Sequence, residues 1–146
     1  MAKTISTILG GVLLLVGLAG FLIPNLAGTH LTTAHNLIHL ATGAAALYFG
    51  LAAKPSAARL FAIIFGLVYL LLGVTGFFLG ATGTITLPQH LIAGGVNEHM
   101  FRLIPGVLEL GTMDHVVHLL LGLLFLAAGF LSRAPVKPLI DDAPYP

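Results

Sequence analysis

The 146-residue chain contains no cysteine. That absence removes disulfides, thiolate metal sites and thiol–disulfide redox chemistry together, and with them a membrane quinone–thiol enzyme. Charge is scarce as well: 8% of residues are charged against 58% hydrophobic, and mean hydropathy is +1.05. A soluble domain of this length needs many more charges to cover its surface, so lipid is the natural solvent. A formal net charge of +1 with neutral histidines recommends neither nucleic acid nor an acidic substrate as a partner. The chain also lacks a Ser-His-Asp nucleophile context, a phosphate-binding glycine loop and paired acid/base carboxylates, so no enzyme is expected. A transporter calls for broken helices meeting near the midplane. Here the midplane positions are Leu, Ala, Gly and Phe, and the prolines lie outside the apolar runs.

Four such runs are present: Ile5–Ile23, Ala34–Ala53, Leu60–Leu79 and Met113–Leu131. Each is close to the roughly 20 residues that cross a hydrocarbon core as a helix, and only helices or closed barrels cross it. Polar and apolar residues do not alternate, which argues against a barrel. The first run, behind Lys3, imitates a signal peptide but is longer than a typical signal core, and reads as a retained first helix. The expected fold is therefore an all-α membrane protein, a left-handed bundle of four transmembrane helices over residues 1–132, followed by a Pro-rich cytoplasmic tail over 133–146. Lys3, Lys54, Arg59, Arg133 and Lys137 fall on one side of the membrane, and Arg102 with Glu98 and Glu109 on the other. The positive-inside rule then puts both termini in the cytoplasm.

The four runs form two tandem helical hairpins. Gly10, Gly17, Gly20 and Phe21 recur as Gly66, Gly73, Gly76 and Phe77, and His39, Gly43 and Gly50 recur as His118, Gly122 and Gly129. Every helix thus carries a glycine pair seven residues apart, including Gly43/Gly50 and Gly122/Gly129, a seam along which helix backbones approach closely in lipid. The outer loop of the second hairpin, about Gly80 to Thr112, is too long for a mere connection. Within it Val96, Met100, Leu103 and Ile104 share a helical face, which predicts a short interfacial helix ended by Pro105 and capping the polar ends of helices two and four.

Those polar ends are the informative feature. "AHNLIHLATG" (Ala34–Gly43) and "MDHVVHLLLG" (Met113–Gly122) place polar residues at the starts of two apolar helices. His35 and His39, Asn36 and His39, and Asp114 and His118 have i,i+4 or i,i+3 spacing, so each set shares a helix face. Two readings stand open. In the first, Asn36, His39, His115 and His118 are structural polar pairs joining helices, with Asp114 a helix cap or first-turn anion. In the second they are ligands: His39 and His118 at matched depth as axial ligands of a tetrapyrrole, haem or chlorophyll, or His35, His115 and Asp114 as a metal site. His30, His90 and His99, with His35 and His115, are candidate ligands of a metal at the outer surface, where imidazole and carboxylate suit zinc, copper or iron.

An Asn-x-x-His start to helix two, at Asn36 and His39, a related Asp/His start to helix four, at Asp114, His115 and His118, and a glycine four residues after each histidine resemble a bacterial membrane family known as domain of unknown function 4383. The likeness covers about Ile5 to Leu131. His115 stands where the first hairpin has asparagine. The resemblance implies a multi-pass protein of a bacterial inner (plasma) membrane or thylakoid, and no activity. The expected function is a non-enzymatic accessory or structural subunit of a larger bacterial membrane complex, in contact with lipid and with other membrane subunits or its own copies. The alternative is a His-ligated tetrapyrrole protein of electron transfer or light harvesting.

Overall fold

The structure, a computed structural model, describes residues 1–86 and 95–132. The expected tail, with Arg133 and Lys137, and His90 lie outside these residues. In chain order the elements are α1 (Ala2–Ala19), a 3-10 turn (Leu26–Gly28), α2 (Thr33–Leu51), α3 (Pro55–Leu79), β1 (Ala81–Gly83), β2 (Asn97–Ile104), β3 (Leu108–Leu110) and α4 (Thr112–Leu131). Helices α1, α3 and α4 are long and apolar enough to cross a membrane. Helix α2 is as long but less apolar, because Thr33, His35, Asn36, His39 and Thr42 crowd its first half.

Two helix ends differ from the expected runs by more than three residues. Helix α1 stops at Ala19 rather than Ile23. Past it the backbone tightens, with the Phe21 and Leu22 amides reaching back only three residues, to the Leu18 and Ala19 carbonyls, and Pro24 cannot continue a helix. Helix α3 starts at Pro55 rather than Leu60, since a proline in the first helical turn gives up no hydrogen bond.

Helix α1 packs chiefly on α2, and α3 on α4. Glycine sets the closeness of both pairs. A Cβ on Gly43 would stand 2.9 Å from the Gly10 oxygen and the Leu14 nitrogen, and one on Gly122 would stand 2.5 Å from the Leu70 nitrogen and 2.9 Å from the Gly66 oxygen. Gly50 likewise faces the backbone of Lys3 and Thr7, and Gly129 faces Ile63 and the Arg59 carbonyl. All four glycines that the sequence marks for packing therefore sit where backbone meets backbone or a side-chain stem. Between the pairs, Leu13, Ala46, Phe61, Ala62, Tyr69 and Phe125 form the core, with Phe61 stacked on Phe49 and Phe65 at 4.5 and 4.3 Å. Large apolar side chains such as Leu15, Leu51, Leu71, Phe78 and Leu120 are exposed, the inverse of a water-soluble surface. At one end of the bundle Lys3 donates to the Leu51 and Ala53 carbonyls, at 3.1 and 2.9 Å, and Arg59 to the Gly129 carbonyl at 3.1 Å. Each cation sits where the helix dipole is negative.

The other end corrects the sequence reading. The expected interfacial helix over Val96–Ile104 is a strand: β2 pairs antiparallel with β1 and β3 in the order β1-β2-β3, with Phe101 opposite Leu110 and Arg102 opposite Glu109. Pro105 ends no helix. The Val107 amide closes on the Ile104 carbonyl at 3.0 Å and Gly106 has φ +74°, a type II turn with Pro and Gly in their preferred places. The alternating Leu108-Glu109-Leu110 then supplies a pairing partner. Glu109 is fully buried and accepts from the Thr86 amide at 2.8 Å, the Gly106 amide at 2.9 Å and the Thr86 hydroxyl, with Arg102 Nε 3.5 Å away.

Two tests follow from this packing. Gly43→Val and Gly122→Val should each cost about 1–3 kcal/mol as overpacked sites, read as a lower thermal midpoint in detergent. Gly11→Ala, whose Cβ would meet nothing within 4 Å, should leave the midpoint unchanged or raise it. Equal midpoints in all three would remove the glycine seam as the basis of packing. For Glu109, burial pushes the carboxyl up, but the Thr86 hydroxyl, the Gly106 and Thr86 amides and Arg102 outweigh it and hold it below the usual carboxylate range. A lowered folded value means the stabilisation is complete above the ordinary carboxylate pKa and is lost as pH falls through the folded one. Hydrogen exchange at the Thr86 and Gly106 amides, corrected for intrinsic rates, should therefore lose protection in acid. Glu109→Gln should show reduced protection already at neutral pH.

Candidate functional site

Helix α2 starts where Thr32 caps it. The Thr32 hydroxyl accepts from the His35 amide at 3.2 Å and donates to the Val107 carbonyl at 3.0 Å, so the β2–β3 turn and the helix start are held together. Helix α4 starts under Asp114, whose carboxylate accepts from the Gly111 amide at 2.7 Å. The same carboxylate reaches across to the loop before α2. It takes the His30 amide at 3.0 and 3.1 Å and His30 Nδ1 at 3.0 Å, and His35 Nδ1 lies 3.9 Å from its other oxygen. Asn97 fastens the sheet to the same helix start, its side-chain oxygen accepting from the Thr112 amide at 3.0 Å and hydroxyl at 2.6 Å.

Beneath this network His35, His39 and His118 meet. Each is at least 96% buried, and one donor atom from each lies within 4.8 Å of the others. The His35 ring is 4.4 Å from that of His39 and 5.6 Å from that of His118, centroid to centroid. His35 Nδ1 is 2.9 Å from the His30 carbonyl. A carbonyl only accepts, so Nδ1 carries the proton and a neutral His35 keeps a bare lone pair on Nε2. That Nε2 and the Nδ1 atoms of His39 and His118 are buried without a hydrogen-bond partner. An unpaired buried polar atom costs about 1–3 kcal/mol, so three in one small volume call for an occupant that uses their lone pairs. Space exists beside them: a cavity of about 130 Å³ is bordered by the three histidines, Thr42, Tyr69 and Leu110, and one of about 60 Å³ lies on the Asp114 side.

The sequence-marked residues sort differently here. His39 and His118 do face each other, with ring centroids 6.4 Å apart and planes 56° off parallel. His35 packs against both, however, and a 130 Å³ cavity is well below the ~300 Å³ at which cofactor pockets begin. The group His35, His115 and Asp114 is not assembled as a metal site. The His115 ring turns away to lie against Gly76 and Phe77 and donates from Nε2 to the His99 carbonyl at 2.8 Å, while both Asp114 oxygens are committed to backbone and His30. Nor do Asn36, His39, His115 and His118 act as pairs between helices: among the described residues none bonds to another helix, and Asn36 donates to the Leu31 carbonyl at 3.3 Å. His30, read as a candidate metal ligand of the outer surface, is 5% exposed and instead bonds Asp114 and orients the site. Tyr69, whose ring is 5.5 Å from that of His118 and whose hydroxyl is 3.1 Å from that of Thr42, went unmarked; it is a lone polar ring in an uncharged run.

In comparisons with protein-family models, curated proteins and solved structures no match to this chain was found, and the reading of the site rests on its own geometry.

Proposed function

We propose that the chain is a four-span integral membrane protein built from a duplicated helical hairpin, serving as a non-enzymatic accessory subunit of a larger bacterial membrane assembly. The supporting observation is that contacts in the first hairpin recur in the second at the equivalent residues. Gly10 meets Gly43 as Gly66 meets Gly122, and the Asn36 carbonyl faces Gly17 as the His115 carbonyl faces Gly73. Lys3 caps the end of α2 as Arg59 caps that of α4. Helix α2 therefore relates to α1 as α4 relates to α3. If α4 crosses the bilayer, α2 crosses it too, its polar first half buried against the other helices rather than in lipid. The resemblance to domain of unknown function 4383 favours the same fold and membrane location.

The non-enzymatic role draws on the two buried acids among the described residues, Glu109 and Asp114, which are both tied into structural hydrogen bonds. The exposed apolar side chains serve lipid and neighbouring subunits. Lys3, Lys54 and Arg59 at one end put the termini in the cytoplasm and the sheet outside. With no native cysteine, single cysteines at Ser56 and Gly95 test this cleanly. An impermeant thiol reagent on intact cells should label position 95 and spare 56, and the reverse pattern would invert the topology. In mild detergent the 15.2 kDa chain should migrate with other membrane proteins; a protein that always runs alone as a monomer would defeat the accessory role.

A further inference from the structure

We propose that His35, His39 and His118 bind one divalent first-row transition ion, of the zinc and copper(II) class, at the sheet-covered end of the bundle. The donor set selects the class. Three imidazoles with no thiolate and no free carboxylate suit zinc, copper(II), nickel or cobalt, and not calcium or magnesium, which require oxygen. The donors converge from two helices: His35 and His39 lie one helical turn apart on α2, and His118 faces them from α4. Around a tetrahedral ion with bonds of about 2.0–2.1 Å, donor atoms stand roughly 3.3 Å apart. The three donors, all within 4.8 Å, close to that spacing by small ring rotations into the adjoining cavities.

One of the three, His35, has the hydrogen-bonded surroundings of a metal ligand. Metal-bound histidines hand their second ring N–H to a carbonyl or carboxylate, which fixes tautomer and orientation. His35 does so to the His30 carbonyl at 2.9 Å, with the Asp114 carboxylate 3.9 Å from the same nitrogen. Asp114 thereby supplies the negative charge that a buried dication needs. The fourth coordination position opens onto the 130 Å³ cavity beside Tyr69, room for water or another small ligand. Trapped water is the rival occupant of the same lone pairs.

The test uses the full chain in detergent, free of any histidine tag and stripped with a chelator, titrated with Zn²⁺ alone and with Co²⁺ alone. The expected result is one ion per chain, a thermal midpoint that climbs with ion concentration, and visible Co²⁺ bands of tetrahedral type. His39→Gln and His118→Gln should each weaken binding by more than the about 10–100-fold expected for losing an outer partner, as in Asp114→Asn. His99→Gln, outside the cluster, should bind as the parent does. Should a histidine variant fail to fold, X-ray absorption on the zinc-loaded parent reads the same point: three imidazoles in the first shell support the site, and an oxygen-only shell overturns it. Absence of stoichiometric binding, or equal binding after loss of His39 and His118, also overturns it. Neither result bears on membrane topology, so this site fails or stands independently of the accessory role.

Discussion

The Asp114 carboxylate holds the sheet-covered end of the molecule together. It caps the helix that carries it through the Gly111 amide, anchors the loop before α2 through the His30 amide and ring, and lies beside His35. A carboxylate only 1% exposed is costly to bury unless its lone pairs are filled, and here N–H donors from two separate segments fill them. The loop before α2 is therefore folded around the anion. Once His30 is fixed its carbonyl fixes His35, and the order of the imidazole cluster descends from that one buried charge.

On the proposed duplication, the charge and the histidine it faces stand at equivalent positions. With the hairpins aligned, His35 corresponds to Asp114, Asn36 to His115 and His39 to His118. Positions 39 and 118 carry the same residue, with ring centroids 6.4 Å apart. Positions 35 and 114 carry an imidazole and a carboxylate that lie 3.9 Å apart. At the third pair the closeness of the helices decides the outcome. Gly20 and Gly76 leave room for a polar side chain, filled by the Asn36 amide in one hairpin and the His115 ring in the other. Neither of these points at the cluster.

The parts legible in the sequence are those governed by periodicity. Glycines seven residues apart, apolar runs of membrane length, and His35/His39 and Asp114/His118 on single faces follow from helical spacing alone. What spacing along one helix does not disclose is which face of α2 meets which face of α4. Asp114, His115 and His118 lie within five residues, yet His115 sits one residue, about 100° of helix, beyond Asp114 and turns to the sheet. The sheet itself was misread because apolar residues at 96, 100, 103 and 104 satisfy a helical face. The local chemistry of Pro105-Gly106, a turn pair followed by Leu-Glu-Leu alternation, decides for strands once a partner strand is close enough to take up the backbone hydrogen bonds.

The vertical order of the bundle closes the cluster off from one end. Below it, Tyr69 stacks over Phe125 and Phe61 packs between Phe49 and Phe65, a layer of rings with no polar group beyond the tyrosine hydroxyl. Hydrated ions do not cross such a layer, since every polar contact with water would be given up with nothing in exchange. Above it, Leu103, Leu108 and Leu110 of the sheet line the cavity next to the histidines, and this cover is three strands tied to the helices by Asn97, the Thr32 hydroxyl and the His115–His99 hydrogen bond, with His99 and Phe101 of β2 resting on Phe77 and His115. Strands fastened by a few side-chain bonds open at lower cost than a glycine-locked helix pair. The histidines are thus closed off from the basic end of the protein by packing. The cavity beside them is bordered both by the sheet and by Ile38 and Val68, which are exposed on the sides of α2 and α3, so an approach to the cluster runs past the sheet or between those two helices and not from the basic end.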